Sequence, residues 1–104
     1  MTRATFRLSD SASSDIENIW ISVFDQSSHI EVADKVVFAI FEGIRFLGDN
    51  PEAGHYREDL FPMPTKFWSI YGYLIVYQVD IPLEIIRVLP GQMDVEAILS
   101  GNLN

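Results

Sequence analysis

The spacing of apolar residues changes its period midway along this chain, and this change constrains the fold more than any other feature. In the first half, apolar residues recur every three or four positions, which is typical of helices that bury one face. From Lys66 onwards the spacing becomes two or continuous, and β-forming residues dominate. A chain of 104 residues buries enough surface for one modest core. The pattern therefore predicts a single domain, residues 1–104, in which helices precede most strands.

The first half of the chain predicts two amphipathic helices. The first begins at the segment Ser14–Glu17, which has the residue types of a capping box, and it ends near Ser27. The second runs from about Ile30 to Leu47, and Gly48 follows as a C-terminal cap. Because only a few residues separate the two helices, we expect an antiparallel hairpin.

The second helix carries more apolar surface than one small core can cover. Its apolar stripe consists of Ala33, Val37, Ile40, Ile44 and Leu47. Val36 and Phe41 widen this stripe, and Phe38 projects from nearly the opposite side of the helix. These three side chains either cover a partner protein or pack within the domain itself. The pattern alone leaves both interpretations open.

The second half predicts a sheet. A brief opening strand at Ala4–Leu8 is followed, after the helices, by three strands: Lys66–Ile70, Tyr73–Asp80 and Leu83–Leu89. Short turns join the last three, so they should be antiparallel neighbours. Asp94–Leu99 predicts one or two terminal helical turns. The fold class is therefore α+β, an antiparallel twisted sheet with a helical hairpin on one face, and the other face is left as a working surface.

Composition excludes several classes of function. Lys and Arg total 7 against 15 Asp and Glu, a net charge of -8, so the chain does not bind nucleic acid through bulk charge. It has no cysteine, which excludes disulfides and thiolate metal sites and fits a reducing cytoplasm. His29 and His55 lack metal-ligand spacing, so we expect no metal and no cofactor. The N-terminus does not resemble a signal peptide and no apolar run approaches 20 residues, which predicts a cytoplasmic protein without membrane contact.

The few cations of the second half are the candidate functional residues, chiefly Arg57, Lys66 and Arg87. By strict alternation, Arg87 shares a strand face with Leu83, Ile85 and Leu89. A guanidinium in such an apolar strand must be paired or reach water. Two interpretations follow: a buried pair with an acidic neighbour, or an anion-directed group on the open face of the sheet.

Four motifs together resemble a known family. They are Asp15-Ile16-x-x-Ile19-Trp20, Pro51-x-x-Gly54-x-x-Arg57, Tyr73-Leu-Ile-Val-Tyr77 and Ile86-Arg87-Val88-Leu89-Pro90-Gly91-x-x-Asp94. In this order they resemble the RelE/ParE superfamily of toxins from type II toxin–antitoxin systems, and they are closest to the ParE branch. The resemblance covers nearly the whole chain, and it implies the same order of strand, two helices and three strands.

The resemblance implies a small cytoplasmic toxin that a cognate antitoxin neutralises by wrapping its helical hairpin and sheet edge. ParE-type members inhibit DNA gyrase by protein contact and are not enzymes, whereas RelE-type members cleave mRNA on the ribosome. Neither activity implies direct DNA binding by this chain. The implied target-binding residues are Arg57, Lys66, Arg87, Gln92 and Asp94. The implied antitoxin-binding residues are Val36, Phe38 and Phe41, which should also allow a homodimer or a toxin–antitoxin hetero-oligomer.

Two departures from the ParE pattern bear on activity. Pro90 stands where that pattern has histidine, and Met93 stands where an arginine is usual. An RNase needs groups that transfer protons and stabilise developing charge, and an acidic surface repels RNA. The mRNA-cleaving hypothesis therefore ranks below gyrase inhibition without catalysis. A third hypothesis is a non-toxic member that retains only antitoxin binding.

Overall fold

The computed structural model describes residues 5–56 and 65–91. These residues form one α+β layer structure, with two helices against one face of a sheet. The elements are β1 (Phe6–Leu8), α1 (Asp10–Ser27), α2 (Ile30–Asp49), a 3₁₀ turn (Pro51–Ala53), β2 (His55–Tyr56), β3 (Thr65–Ile70), β4 (Tyr73–Gln78) and β5 (Leu83–Pro90). The α+β prediction is confirmed. The helical turns predicted at Asp94–Leu99 lie outside the described residues.

Helix α1 begins five residues earlier than the sequence pattern predicts. Its N-cap is Ser9, whose hydroxyl accepts a hydrogen bond from the Ala12 amide at 3.0 Å. The same hydroxyl donates to the Ile86 carbonyl of β5 at 2.8 Å. Ser14 lies inside the helix, so the predicted capping box is wrong. Contact with a strand 77 positions along the chain selects Ser9 as the cap.

Helix α2 packs against α1 after a connection of two residues, Ser28 and His29, which makes the pair antiparallel. The Trp20 indole donates to the Asp34 carboxylate at 2.9 Å across the hairpin. The predicted stripe of α2 is confirmed at its centre, since Ala33, Ile40, Ile44 and Leu47 are fully buried. The hairpin therefore forms as its local periodicity indicates.

The sheet has the strand order β1-β5-β4-β3-β2. The predicted antiparallel sheet is confirmed for β3, β4 and β5, whose connections are short. Strand β1 departs from it, because β1 pairs with β5 in parallel and the sheet is mixed. The physical reason is the connection: α1 and α2 together form a crossover long enough to return the chain in the same direction. The two-residue strand β2 adds an edge that the sequence pattern did not predict.

A bulge in β5 changes which side chains share a face. Val76 pairs with Arg87 and Tyr77 pairs with Ile85, so Ile86 is an extra residue on β5. The predicted face of Leu83, Ile85, Arg87 and Leu89 is therefore wrong. Leu83, Ile85 and Val88 instead join the core beneath the helices, and Ile86 and Leu89 belong to a second cluster.

The second cluster lies on the sheet face away from the helices. Val76, which alternates with the core residues Ile75 and Tyr77, is 1% exposed, and Leu89 is 2% exposed. Phe67, Leu74 and Ile86 pack against them. The expectation of an open working surface is therefore wrong at the centre of this face, where apolar side chains bury one another.

Candidate functional site

Arg87 is held by Asp15 of α1 in a two-pronged ion pair. The guanidinium Nε donates to Oδ2 of Asp15 at 2.8 Å, and Nη2 donates to Oδ1 at 3.0 Å. The Val88 amide donates to the same Oδ2 at 2.9 Å. Hydrogen bonding to Asp15 raises the pKa of Arg87 although burial opposes it, so the guanidinium is permanently charged. Of the two sequence interpretations, the structure shows the pair with an acidic neighbour.

The pair lies at one end of a cleft between α1 and the outer edge of β5. Strand β1 covers only Leu83–Ile85 of β5, so the rest of that edge faces the helix. The cleft has a volume of about 550 Å³ and is walled on its far side by the β3–β4 turn at Tyr71–Tyr73. The Arg87 side chain remains 27% exposed, against 12% for Asp15. Arg87 is thus accessible from the cleft despite its partner.

Lys66 occupies a different and more enclosed position on β3. It is 7% exposed, and its Nζ donates to the Glu52 carbonyl at 3.4 Å. The ammonium also lies 4.7 Å from the centre of the Tyr56 ring, which is a cation–π contact. Lys66 and Arg87 lie on strands either side of β4 and have different partners. The structure therefore does not bring these two predicted target-binding residues into one site, and Arg57, Gln92 and Asp94 lie outside the described residues.

The buried side chain of Tyr77 makes hydrogen bonds that its position in the apolar Tyr73–Tyr77 motif did not indicate. Its ring is fully buried, while its hydroxyl donates to the Pro51 carbonyl at 2.8 Å and accepts from the Gly54 amide at 2.9 Å. A Cβ atom at Gly54 would clash with that hydroxyl. Burial raises the pKa of the Tyr77 phenol, and the Gly54 hydrogen bond opposes this in part. Pro51 and Gly54 of the Pro-x-x-Gly motif thus supply both hydrogen-bond partners of the Tyr77 hydroxyl.

A second, apolar groove lies between α2 and the sheet edge. We call it the α2–β3 groove, and its volume is about 380 Å³; its lining includes Phe38, Gly43, Phe46, Trp68, Ile70 and Tyr71. Phe38 is 62% exposed and Phe46 43%. The groove's charged residue, Glu42, is paired with Arg45. Large exposed aromatic side chains around an apolar groove are typical of a protein-binding surface.

The predicted antitoxin-binding residues of α2 separate into two groups. Phe38 lines the α2–β3 groove, whereas Val36 and Phe41 are partly buried against the main core. Phe41 also packs on Phe6 of β1, with ring centres 6.3 Å apart. Phe46 of α2, Trp68 of β3 and Tyr71 of the β3–β4 turn complete the surface. Sequence reasoning missed Trp68 and Tyr71 because they come from other elements, whereas Phe46 lies on the same helix as Phe38, eight positions further on.

Within residues 5–56 and 65–91, no three His, Asp or Glu side chains converge as metal ligands would. No helix in the same residues has the length and hydropathy needed to cross a bilayer. Among the residues that the structure describes, the α1–β5 cleft and the α2–β3 groove are candidate surfaces for contact.

The fold and these surfaces define a class of small α+β domain in which a helical hairpin covers one face of a five-stranded mixed sheet. A family model described as the ParE toxin of the type II toxin–antitoxin system, parDE, matches residues 6–95. The chain therefore belongs to the ParE family and is a toxin of a type II toxin–antitoxin system.

A solved structure has the same fold. It is described as a chromosomal ParDE TA system from P. aeruginosa, and it matches with a TM-score of 0.70 at 18% sequence identity. The match covers 82% of this chain and 92% of that chain. No curated protein sequence matches. The predicted order of strand, two helices and three antiparallel strands is thus shared with that solved structure.

Proposed function

We propose that this toxin binds a cognate antitoxin through the α2–β3 groove and, when released from it, inhibits DNA gyrase by protein–protein contact in the cytoplasm. The observation that carries the proposal is the family match over residues 6–95. The relative from P. aeruginosa is described as part of a ParDE system, which supports an antitoxin partner for this chain.

The groove supports the antitoxin part of the proposal. Three aromatic side chains that are each at least 43% exposed, Phe38, Phe46 and Tyr71, surround it, and a stable interface buries aromatic anchors of this kind. Gly43 keeps the floor of the groove close to the sheet, since a Cβ there would stand 2.5 Å from Ile70 Cδ1. An apolar segment of the antitoxin is the expected occupant.

The charges support action without catalysis. Cleavage of RNA requires cations that bind phosphate and groups that move protons. Among the described residues, Lys66 is 7% exposed and the Nε side of Arg87 is taken by Asp15, while the whole chain has a net charge of -8. A protein target suits this surface better than a polyanion does. Arg57, Lys66, Arg87, Gln92 and Asp94 remain the proposed target-binding set.

Induction of the chain alone in a bacterium tests the target. Gyrase inhibition predicts filamentous cells and a DNA-damage response, and the purified chain should inhibit supercoiling by gyrase. Arrest of translation within minutes would instead identify an mRNA-cleaving toxin. Normal growth, with antitoxin binding intact, would identify a member that retains only the partnership.

A matched pair of substitutions tests the groove. Phe38→Ser should weaken antitoxin binding at least about tenfold, because truncation of a central aromatic anchor has an effect of this size. Ile21→Ser is the control, since Ile21 is 51% exposed on α1 and does not line the groove. Isothermal titration with the co-expressed antitoxin measures both. Equal affinities for the two variants would exclude the α2–β3 groove as the antitoxin site.

A further inference from the structure

We propose that the α1–β5 cleft binds a carboxylate through the side of the Arg87 guanidinium that Asp15 leaves unused. The inference deepens the proposed target contact and rests on the proposed function for its biological meaning. A carboxylate is the chemical group that Arg87 would recognise. The carboxylate belongs either to an acidic side chain or to a chain terminus of the partner.

Arg87 retains donors for a second acceptor. A guanidinium has five N–H groups, and one from Nε and one from Nη2 point to Asp15. The remaining three have no partner among residues 5–56 and 65–91. The ion pair fixes the plane of the guanidinium, so a ligand meets a pre-oriented pair of donors on Nη1 and Nη2.

An anion in this cleft meets little repulsion although the protein is acidic. Its charged lining residues are Asp15 and Arg87, which offset each other. Three neutral side chains, Asn18, Ser22 and Gln26, line it from α1 at intervals of four residues. The exposed acidic residues of the same helix, Asp10, Glu17 and Asp25, do not line it. Amide and hydroxyl groups can donate hydrogen bonds to a carboxylate, so these three side chains of α1 could assist Arg87 in binding one.

The backbone of the cleft favours a carboxylate over an added β-strand. On this edge of β5, the Val88 amide already donates to Asp15 and Pro90 has no N–H to offer. The Ile86 carbonyl accepts from the Ser9 hydroxyl. A strand laid along this edge would therefore lack most of its ladder hydrogen bonds.

The shape of the cleft limits the ligand to a short group. Its far wall is the β3–β4 turn, which a hydrogen bond of 2.7 Å from the Gly91 amide to the Gly72 carbonyl ties to the end of β5. A volume of about 550 Å³ suits a few residues or a small acid. Tyr71 and Tyr73 offer aromatic surface to the apolar part of such a ligand.

NMR titration of the full-length, ¹⁵N-labelled chain tests the proposal with three probes. N-acetylalanine carries a terminal carboxylate, N-acetylglutamic acid α-amide carries a side-chain carboxylate, and N-acetylalaninamide carries none. We expect at least one acid to shift the Arg87 Nε–H resonance and the side-chain amides of Asn18 and Gln26, with the tighter acid identifying the source. Equal shifts with N-acetylalaninamide would overturn the proposal.

Variants locate the binding. Arg87→Lys keeps the positive charge but loses the planar pair of N–H donors, so it should weaken binding of the acids about tenfold. Arg45→Lys is the matched control on α2 and should leave the affinity unchanged. If Arg87→Lys does not fold, the exposed double variant Asn18→Leu/Gln26→Leu replaces it and should weaken binding about fivefold, since two neutral donors are lost. Unchanged affinity in the folded variant would overturn the proposal.

The outcome separates this inference from the proposed function. If the acids bind but the induced chain leaves gyrase active, the proposed target is wrong and the carboxylate site stands. If the chain inhibits gyrase but neither acid binds, the carboxylate site is wrong and the proposed function stands.

Discussion

The carboxylate of Asp15 completes the outer edge of β5, because it accepts two N–H groups of Arg87 and one from the Val88 backbone. Strand β1 is too short to cover this part of β5, so a side chain from α1 supplies the acceptor that a strand would otherwise provide. The first and last of the four family motifs, which contain Asp15 and Arg87, are therefore in direct contact although these residues are 72 positions apart in the sequence.

Substitution of Asp15 should destabilise the protein strongly. Asp15→Asn leaves a charged guanidinium without its partner in a partly buried position, and we expect a loss of about 3 kcal/mol in the free energy of unfolding. Asp25→Asn on the same helix is the matched control, because Asp25 is exposed, and it should change stability by less than about 0.5 kcal/mol. Urea denaturation measures both, and similar losses would mean that the pair contributes little.

The phenol of Tyr77 should make stability fall at high pH. Because burial raises its pKa above the usual 10.0, its contribution is complete below pH 10 and is lost as the pH rises through the native-state pKa. Tyr77→Phe leaves the Gly54 amide without its acceptor and should cost about 2 kcal/mol at pH 8. Urea denaturation should show the gap between wild type and variant narrowing above pH 10. Tyr71→Phe, which is 78% exposed, is the control, and a constant gap would refute the assignment.

At the scale of elements, the sequence predicts those helices and strands whose apolar spacing within the segment determines them. The two helices and the three antiparallel strands follow from spacing within each segment. The bulge at Ile86 does not, because one extra residue in β5 is visible only against its partner β4. For the same reason Phe38 was identified by its position on α2, whereas Trp68 and Tyr71 join it only through the fold.

The start of α1 provides a direct test of the difference between local and tertiary signals. Ser9→Ala removes the acceptor of the Ala12 amide and the donor to the Ile86 carbonyl, and it should cost about 1.5 kcal/mol. Ser14→Ala is the control, since the sequence pattern predicts Ser14 as the cap and the structure places it within the helix. Thermal unfolding of the two variants distinguishes the caps: a larger loss for Ser14→Ala than for Ser9→Ala would favour the cap at Ser14.

The turn between α2 and β2 depends on its fit to Tyr77. Gly54→Ala places a Cβ against the Tyr77 hydroxyl and 2.7 Å from the Phe67 carbonyl, so it should cost about 2 kcal/mol or more. In the Tyr77→Phe background the cost should be smaller, because one of the clashing atoms is gone. A double-mutant cycle in urea measures the coupling. Additive losses would show that the two positions act independently.

At the scale of the whole molecule, charge and apolar surface act against each other. The net charge of -8 makes copies of the chain repel one another, while Phe38, Phe46 and Tyr71 expose aromatic surface around the α2–β3 groove. Much of the negative charge lies on the helical hairpin, since α1 and α2 carry eight acidic and two basic residues. Solubility without the antitoxin therefore depends on ionic strength as well as on sequence.

Self-association of the isolated toxin should increase with salt. The screening length falls from about 10 Å at 0.1 M to about 3 Å at 1 M, which removes the repulsion between copies but leaves apolar attraction intact. Sedimentation velocity should show a monomer at low salt and a growing dimer fraction at about 0.5 M. Phe38→Ser should suppress that fraction, whereas Ile21→Ser should retain it, because Ile21 does not line the groove. A dimer that forms equally in both variants would place the self-association surface elsewhere, and a monomer at every salt concentration would mean that the aromatic surface is too small to hold two copies together.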